Sequence, residues 1–231
     1  MLQQTVSIEE PTVVPLRGVR AMIADKMVSS LQEGAQLTHH ASCDISGLLG
    51  FKQRMADEGV KLSVEDIVNH CVVQVLKRHP DINGTVKGKE IHLSSSVDLC
   101  VAIALPGNLL VAPTIFGADR MDPSRLREVR RDLIARARSN KLTVTEMTSG
   151  TFTVSNLGLT RVEHFTPIIN SPQIGIVGIG CSTQRAVLDN EGNVALRPYV
   201  GLSLTFDHRA IDGGPAGDIL TDLCNTIEAV A

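Results

Sequence analysis

A capped amphipathic helix near residue 64 and a long strand near residue 200 restrict the fold more than any other feature of this sequence. Ser63-Val64-Glu65-Asp66 has the spacing of a capping box, with aspartate in the place of glutamate. The apolar residues that follow recur every three or four positions, and His79-Pro80 ends the helix because the residue before proline disfavours helical backbone. Residues 200–206 form a strand that leads through a glycine pair into a final helix. Helices and strands in one chain predict an α/β fold.

The rest of the sequence alternates between these two kinds of element. A helical pattern begins at Val14, a second helix at Ser46 and a third at Asp122-Pro123, where proline suits the first helical position. Strands are predicted at residues 37–44, 84–93, 97–105, 109–115, 151–155, 173–178 and 183–188. We therefore predict a single domain, residues 15–231, built as a mixed β-sheet with helices packed on it. Residues 1–14 are interpreted as an extended N-terminal arm.

Composition excludes several classes of function. Charged residues make up 20% of the chain and are interspersed, with a net charge of −3, so nucleic acid is not an expected partner. No apolar stretch reaches the roughly 20 residues of a membrane span, and the N-terminus lacks the features of a secretory signal. The cysteines are widely spaced and odd in number, which argues against a disulfide framework and a zinc site. All are expected to be reduced thiols of a cytoplasmic protein: Cys43, Cys71, Cys100, Cys181 and Cys224.

The segment Asp207-His208-Arg209-Ala210-Ile211-Asp212-Gly213-Gly214 carries the strongest indication of chemistry. It lies between a strand and the final helix, where a loop can present side chains from a rigid scaffold. His208 has the kind of side chain that transfers protons near neutral pH, and Asp212 is close enough in sequence to help hold the loop. On this pattern alone, a structural histidine held by Asp212 is the more common outcome.

Four blocks of sequence, in order along the chain, carry a family resemblance. Residues 205–213 read Thr-Phe-Asp-His-Arg-Ala-Ile-Asp-Gly, and residues 150–158 read Gly-Thr-Phe-Thr-Val-Ser-Asn-Leu-Gly. With residues 164–172 and 20–27, these blocks resemble the acyltransferase components of 2-oxo acid dehydrogenase complexes. The His-x-x-x-Asp-Gly core is also similar to that of chloramphenicol acetyltransferase. The resemblance implies a chloramphenicol acetyltransferase-like domain that assembles as a homotrimer.

The resemblance also implies a reaction, the transfer of an acyl group between a lipoyl thiol and coenzyme A. His208 would be the general base that takes the thiol proton, and the thiolate would attack the acyl thioester on the other carrier. Ser155 would donate a hydrogen bond to the oxyanion of the tetrahedral intermediate. A strand serine bonded to its own backbone is the structural alternative for Ser155. Asp212 would organise the loop, with Arg20 as its candidate partner. Coenzyme A and the lipoyl group are implied as substrates, without a metal ion.

In this family the active site is a channel between two subunits. The resemblance therefore implies that His208 acts on substrate held partly by the neighbouring subunit's copy of Ser155, and that Asn170 lines the channel. His39-His40 is not expected to bind a metal ion, because adjacent strand residues face opposite sides of a sheet. The other histidines are expected to be structural or surface residues: His70, His79, His92 and His164.

The sequence departs from the family pattern in three places. Only a short arm precedes the first helix, so lipoyl groups are expected to arrive in trans on the lipoyl domain of a partner protein. The family's Pro-Arg-Gly-Leu turn reads Pro106-Gly107-Asn108-Leu109, which leaves the acyl group unspecified. Residues 226–231 lack the apolar tail that joins family trimers, so we expect a homotrimer that does not assemble into a large cage.

Two other functions remain open at this stage. One is a standalone, coenzyme A-dependent small-molecule acyltransferase of the chloramphenicol acetyltransferase type, which the missing lipoyl domain favours. The other is a non-catalytic trimeric scaffold, against which the retention of His208 and Ser155 argues. The Phe-Thr-Pro-Ile-Ile-Asn run at residues 165–170 favours the lipoyl-dependent enzyme.

Overall fold

A computed structural model describes residues 12–107, 109–189 and 191–231. The helices in this part of the chain are α1 (Val19–Glu33), α2 (Ser46–Asp57), α3 (Val64–Arg78), α4 (Pro123–Arg138), α5 (Val144–Thr148) and α6 (Gly213–Glu228). Its strands are β1 (Gln36–Asp44), β2 (Gly84–Lys87), β3 (Glu90–Leu93), β4 (Leu99–Val101), β5 (Ile103–Leu105), β6 (Leu109–Val111), β7 (Thr114–Ile115), β8 (Phe152–Asn156), β9 (Gly175–Leu188) and β10 (Val194–Asp207). Most of the arm predicted at residues 1–14 lies outside the described residues, and residues 12–14 carry no helix or strand. None of the described helices is long and apolar enough to cross a bilayer.

A six-stranded mixed sheet organises the domain, in the order β1-β10-β9-β8-β4-β7. β8 runs parallel to both β4 and β9, whereas the remaining neighbours are antiparallel. Two small hairpins, β2–β3 and β5–β6, accompany this sheet. The predicted mixed sheet with packed helices is confirmed.

Helices α3 and α6 cover one face of the sheet and form the core with it. Phe152, Val177 and Leu204, on three neighbouring strands, point between Val72 of α3 and Leu220 of α6. All five side chains are buried, and burial of a large apolar side chain stabilises a fold by about 1.5–3 kcal/mol. This packing fixes β8 and β10, the strands that carry the predicted site residues.

The opposite face of the sheet is adapted to a loop that lies directly on it. Gly180 of β9 and Gly201 of β10 leave room for the backbone of Glu163, and Gly178 leaves room for the ring of Phe165. A Cβ atom at Gly201 would lie 2.0 Å from the carbonyl oxygen of Glu163, far inside van der Waals contact. The loop at residues 162–172 is therefore held against β9 and β10, next to the strand that contains Ser155.

Replacing Gly201 with alanine is expected to lower the free energy of unfolding by about 1–3 kcal/mol, the usual cost of forcing atoms into a filled space. The matched control is Gly50→Ala in α2, where the nearest atom to a new Cβ lies at 3.5 Å and alanine favours the helix. Urea denaturation of both variants checks the prediction. Equal stability of the two variants would show that the loop moves aside without cost.

Several local features differ from the sequence prediction. The strands predicted at residues 84–93, 97–105 and 109–115 are each divided in two, as β2 and β3, β4 and β5, and β6 and β7. The first helix begins at Val19 and not at Val14, because Gly18 adopts a left-handed φ of 55° that breaks the helical backbone. The strands predicted at residues 173–178 and 183–188 form one strand, β9, in which a bulge opposite residues 200–202 absorbs the irregular pattern. Helix α5 was not predicted, although Thr143 and Glu146 form a capping box at its start.

Candidate active site

Asp207, the residue directly before the predicted base, anchors the loop between β10 and α6. Asp207 is buried, and its carboxylate accepts hydrogen bonds from the backbone N–H of Ala35 at 3.3 Å and from Nη2 of Arg209 at 2.6 Å. The backbone N–H of Arg209 also donates to this carboxylate, at 3.0 Å. The backbone N–H of His208 donates to the carbonyl of Ala35 at 2.8 Å. The position of His208 is therefore set by the end of β10 and by the segment that joins α1 to β1.

The side chain of His208 is exposed and paired with Asp212, which is also exposed. Nδ1 of His208 lies 3.4 Å from Oδ1 of Asp212, and its ring centroid lies 5.9 Å from that of Phe206. Asp212 occupies the N-cap position of α6, yet its side chain makes no capping hydrogen bond and is directed to His208. A carboxylate at Nδ1 favours the proton on that nitrogen, which leaves the lone pair on Nε2 to act as a base. The structure thus brings together two of the predicted site residues.

The pKa of Asp207 provides a test of the anchored loop. Burial alone would raise this pKa, but the hydrogen bonds and the charge of Arg209 outweigh burial and hold the pKa below its usual value. A lowered pKa in the folded state stabilises the fold at pH values above the unfolded pKa of about 3.9. That stabilisation is lost as the pH falls through the folded pKa.

We therefore expect the free energy of unfolding of the wild-type chain to fall more steeply below about pH 4 than that of an Asp207→Asn variant, which has no such carboxylate to protonate. Urea denaturation from neutral to acidic pH measures both slopes. Parallel curves for the two proteins would show that Asp207 does not contribute a pH-dependent stabilisation.

Ser155 lies far from His208 within one chain. It pairs with Gly178 of β9, which pairs with Ser203 of β10, five residues before His208. With about 4.8 Å between strands and 3.3 Å per residue, Ser155 and His208 are roughly 20 Å apart. A general base and an oxyanion donor must each reach the reacting atoms within about 3 Å. One chain alone therefore does not place both residues on the same thioester.

The hydroxyl of Ser155 has no hydrogen-bond partner within the part of the chain that the structure describes. The described structure therefore does not show the structural alternative for Ser155, in which its hydroxyl is hydrogen-bonded to its own backbone. A strand serine with an unused hydroxyl remains available to donate to a substrate oxygen.

Asn170 is held over the same face of the sheet. Its Oδ1 accepts a hydrogen bond from Nζ of Lys26 at 2.6 Å, and its Nδ2 donates to Oγ1 of Thr153 at 3.4 Å. Thr153 precedes Ser155 by two residues on β8, so both face the same side of the sheet. Lys26 is an exposed residue, and partial burial of its ammonium lowers its pKa. Lys26 was not predicted as a site residue, and its only signal was its place in the block at residues 20–27.

Arg20 extends from α1 toward a different loop. Its Nη2 lies 3.5 Å from the carbonyl oxygen of Gly107. The turn that contains Gly107 is the one in which the sequence departs from the family pattern. The partnership of Arg20 with Asp212 stays a prediction.

The two adjacent histidines of β1 face opposite sides of the sheet, as predicted. His39 packs against the ring of Phe206 with centroids 5.0 Å apart, whereas Nδ1 of His40 lies 2.9 Å from the hydroxyl of Ser203. In the described ranges, no group of three or more histidine, cysteine, aspartate or glutamate side chains is placed to hold a metal ion. The five cysteines are free thiols, three of them buried.

A cavity of about 340 Å³ opens beside the end of β8. Asn156, the residue after Ser155, contributes to its wall together with Gly158, Lys52 and Arg130. The remaining wall includes apolar side chains of α2, β9 and β10. A volume of this size is typical of sites that take small organic ligands.

Comparison with known proteins identifies the family of this chain. Residues 8–231 match the family model described as "2-oxoacid dehydrogenases acyltransferase (catalytic domain)". The chain is 36% identical to the dihydrolipoyllysine-residue acetyltransferase component of the acetoin cleaving system of Bacillus subtilis, over 98% of this chain and 58% of the relative. It is 32% identical to the succinyltransferase component of the 2-oxoglutarate dehydrogenase complex of the same organism, over 90% of this chain and 51% of the relative. The chain thus spans about half the length of these curated relatives.

Solved structures show the same fold. A probable dihydrolipoamide acetyltransferase from Listeria monocytogenes matches with a TM-score of 0.89 and 30% identity, over 96% of both chains. The dihydrolipoamide acetyltransferase of Azotobacter vinelandii matches with a TM-score of 0.89 and 28% identity, over 96% of this chain and 93% of that one. Chloramphenicol acetyltransferase, at 15% identity over 89% of this chain and 93% of that one, has a TM-score of 0.55 and confirms the predicted fold. The chain belongs to the family of 2-oxoacid dehydrogenase acyltransferase catalytic domains.

Proposed function

We propose that this domain, residues 15–231, transfers an acyl group between coenzyme A and the thiol of a dihydrolipoyl group. The observation that carries the proposal is the pair formed by His208 and Asp212, presented by an anchored loop at the end of β10. A carboxylate at Nδ1 leaves Nε2 available as a base, which is the arrangement that activation of a thiol requires.

The residues then have the following roles in one step of exchange. Nε2 of His208 takes the proton from the attacking thiol, and the thiolate forms a bond with the carbonyl carbon of the acyl thioester. The carbonyl oxygen becomes an oxyanion, which accepts a hydrogen bond from the hydroxyl of Ser155. The intermediate collapses as the other carbon–sulfur bond breaks, and the departing sulfur takes the proton back from His208. Asp212 stabilises the protonated imidazole, and no acyl-enzyme is formed.

We infer that the complete site lies between two chains of a homotrimer. The roughly 20 Å between His208 and Ser155 within one chain supports this, because a neighbouring chain can supply the other residue. In the Azotobacter vinelandii enzyme, three residues were investigated for their role in the catalytic mechanism. They are a serine, a histidine and an asparagine, and the asparagine lies four residues beyond the histidine. We propose that Ser155 and His208 have the roles of the first two, and Asp212 stands four residues beyond His208. A solution mass above that of a trimer would contradict the expectation that no large cage forms.

The proposal identifies the class of acyl group and the class of partner protein, and not the individual molecules. The relatives include acetyltransferases and succinyltransferases, so both acyl groups are candidates. We propose that the lipoyl group is supplied in trans by the lipoyl domain of a partner protein. Asn170 and Arg20 are proposed as residues of the substrate channel.

The direct experiment measures acyl transfer to free dihydrolipoamide from acetyl-, succinyl- and branched-chain acyl-coenzyme A. The release of coenzyme A serves as the readout. We expect S-acyl dihydrolipoamide to form with at least one of the three donors. Transfer to a small alcohol acceptor such as chloramphenicol, with none to dihydrolipoamide, would favour a small-molecule acyltransferase. No transfer to either acceptor would favour a non-catalytic scaffold.

A further inference from the structure

The charged side chains of α4 are divided between two flanks of the helix. On one flank, Arg125 pairs with Glu128 at 2.9 Å and Arg136 pairs with Asp132 at 2.7 Å. On the other flank, at 100° per residue, three arginines fall within about 40° of one another. They are Arg127, Arg131 and Arg138. Neither acidic residue of α4 lies on this second flank.

These three arginines and the nearby Lys141 form a surface that we call the α4 stripe. Arg131, Arg138 and Lys141 are exposed and Arg127 is partly exposed. Across the described ranges, no carboxylate lies within salt-bridge distance of any of the four. The three arginines alone span about 16 Å of helix. The stripe is thus a local excess of positive charge on a chain whose net charge is −3.

The stripe adjoins the face of α4 that meets the cavity beside the end of β8. Arg130 lies about 60–100° around the helix from the three arginines, and it lines the cavity that Asn156, the residue after Ser155, also lines. Unlike the arginines of the stripe, Arg130 is engaged with Glu65 at 3.0 Å and Asp66 at 2.8 Å, so it holds α4 against α3. A ligand that contacts the stripe would therefore lie next to the cavity without entering it.

We propose that the α4 stripe docks an acidic protein surface, that of the domain that carries the lipoyl group. The inference rests on the proposed function. Because the helix is firmly packed, binding through its unpaired arginines costs little backbone conformational entropy. Complementary charge also raises the rate at which two proteins meet in the right orientation. The length and exposed position of the stripe suit an extended surface better than the compact phosphates of a single small molecule. The stripe would hold the partner while its lipoyl arm reaches the thioester.

The test uses two synthetic peptides that carry a dihydrolipoyl-lysine, one flanked by glutamates and the other by serines. For the wild-type chain at low ionic strength, KM for the glutamate peptide is expected to be about tenfold below that for the serine peptide, and added salt should remove the difference. The triple variant Arg127→Glu, Arg131→Glu, Arg138→Glu is expected to lose this preference. Its kinetics with free dihydrolipoamide and with coenzyme A should stay at the wild-type level.

A matched control separates the stripe from the overall charge. The variant Arg54→Glu, Lys87→Glu, Lys89→Glu makes the same change in net charge on exposed residues away from α4, and it should keep the preference. A stripe variant that retains the preference, or that instead raises KM for coenzyme A, would overturn the proposal.

Binding without turnover makes the outcome independent of the proposed reaction. Fluorescence anisotropy of the labelled glutamate peptide should show weaker binding to the stripe variant than to wild type and the control variant. Binding of a short RNA duplex by the stripe in the absence of peptide binding would also overturn the proposal. If the peptide binds through the stripe but no acyl group is transferred to free dihydrolipoamide, the docking surface stands and the proposed reaction fails.

Discussion

Replacing His208 with alanine is expected to lower kcat for acyl transfer from acyl-coenzyme A to dihydrolipoamide by about a hundredfold to ten-thousandfold, the usual contribution of a general base. The alanine side chain removes Nε2, so the attacking thiol must lose its proton to water. The backbone hydrogen bond from residue 208 to Ala35 remains available, and the Asp207–Arg209 pair is untouched. The loop should therefore keep its shape, and KM should change much less than kcat.

The control is His92→Ala, an exposed histidine of the β2–β3 hairpin that pairs with Glu90 at 3.2 Å. This variant should retain wild-type turnover, and thermal unfolding of both variants should match that of the wild-type chain. At saturating substrate, a decrease of less than tenfold for His208→Ala would show that another group takes the thiol proton.

Two inactive variants are expected to restore activity to each other. In one, His208→Ala removes the base, and in the other, Ser155→Ala removes the oxyanion donor, at a cost of about a hundredfold to a thousandfold in kcat. The two chains are produced together with different tags and purified through both tags, so that every trimer contains both. Around a three-membered ring, one of the three interfaces then joins an intact His208 to an intact Ser155. Turnover of about one third of the wild-type value is expected for a cyclic trimer.

The pure variants, mixed only in the assay and not allowed to exchange chains, serve as the control and should stay inactive. Activity that remains at the level of the pure variants in the doubly tagged protein would mean that each site takes His208 and Ser155 from the same chain. That result would contradict the roughly 20 Å separation inferred from the strand register.

The local signals in the sequence were sufficient to predict most of the helices and strands. The capping box at Ser63 and Asp66 forms as predicted, and Asp122 accepts the hydrogen bond from Arg125 that starts α4. The errors came where the backbone departs from regular geometry. Gly18 delays the first helix through a left-handed φ, and the bulge in β9 makes one strand read as two. Neither a φ value nor a bulge leaves a periodic pattern in the side chains.

The candidate site divides in the same way between local and distant contacts. His208 and Asp212 lie four residues apart, so their pairing could be expected from the sequence. The contact of Lys26 with Asn170 joins residues 144 positions apart, and only the packing of α1 over the sheet brings them together. Ser155 was identified by resemblance, whereas its separation from His208 required the register of three strands.

The order of the central strands has a consequence for how this chain is made. Gln36 pairs with Asp207 and Asp44 with Tyr199, so β1 finds its partner in β10, the last strand that the structure describes. At a ribosomal rate of about 5–20 residues per second, the roughly 160 residues between them take about ten to thirty seconds to synthesise. During that time β1 is a nascent strand without its partner. Contacts between residues so far apart in the sequence slow folding further. The nascent chain therefore cannot complete its central sheet, or anchor the loop that presents His208, until β10 has left the ribosome.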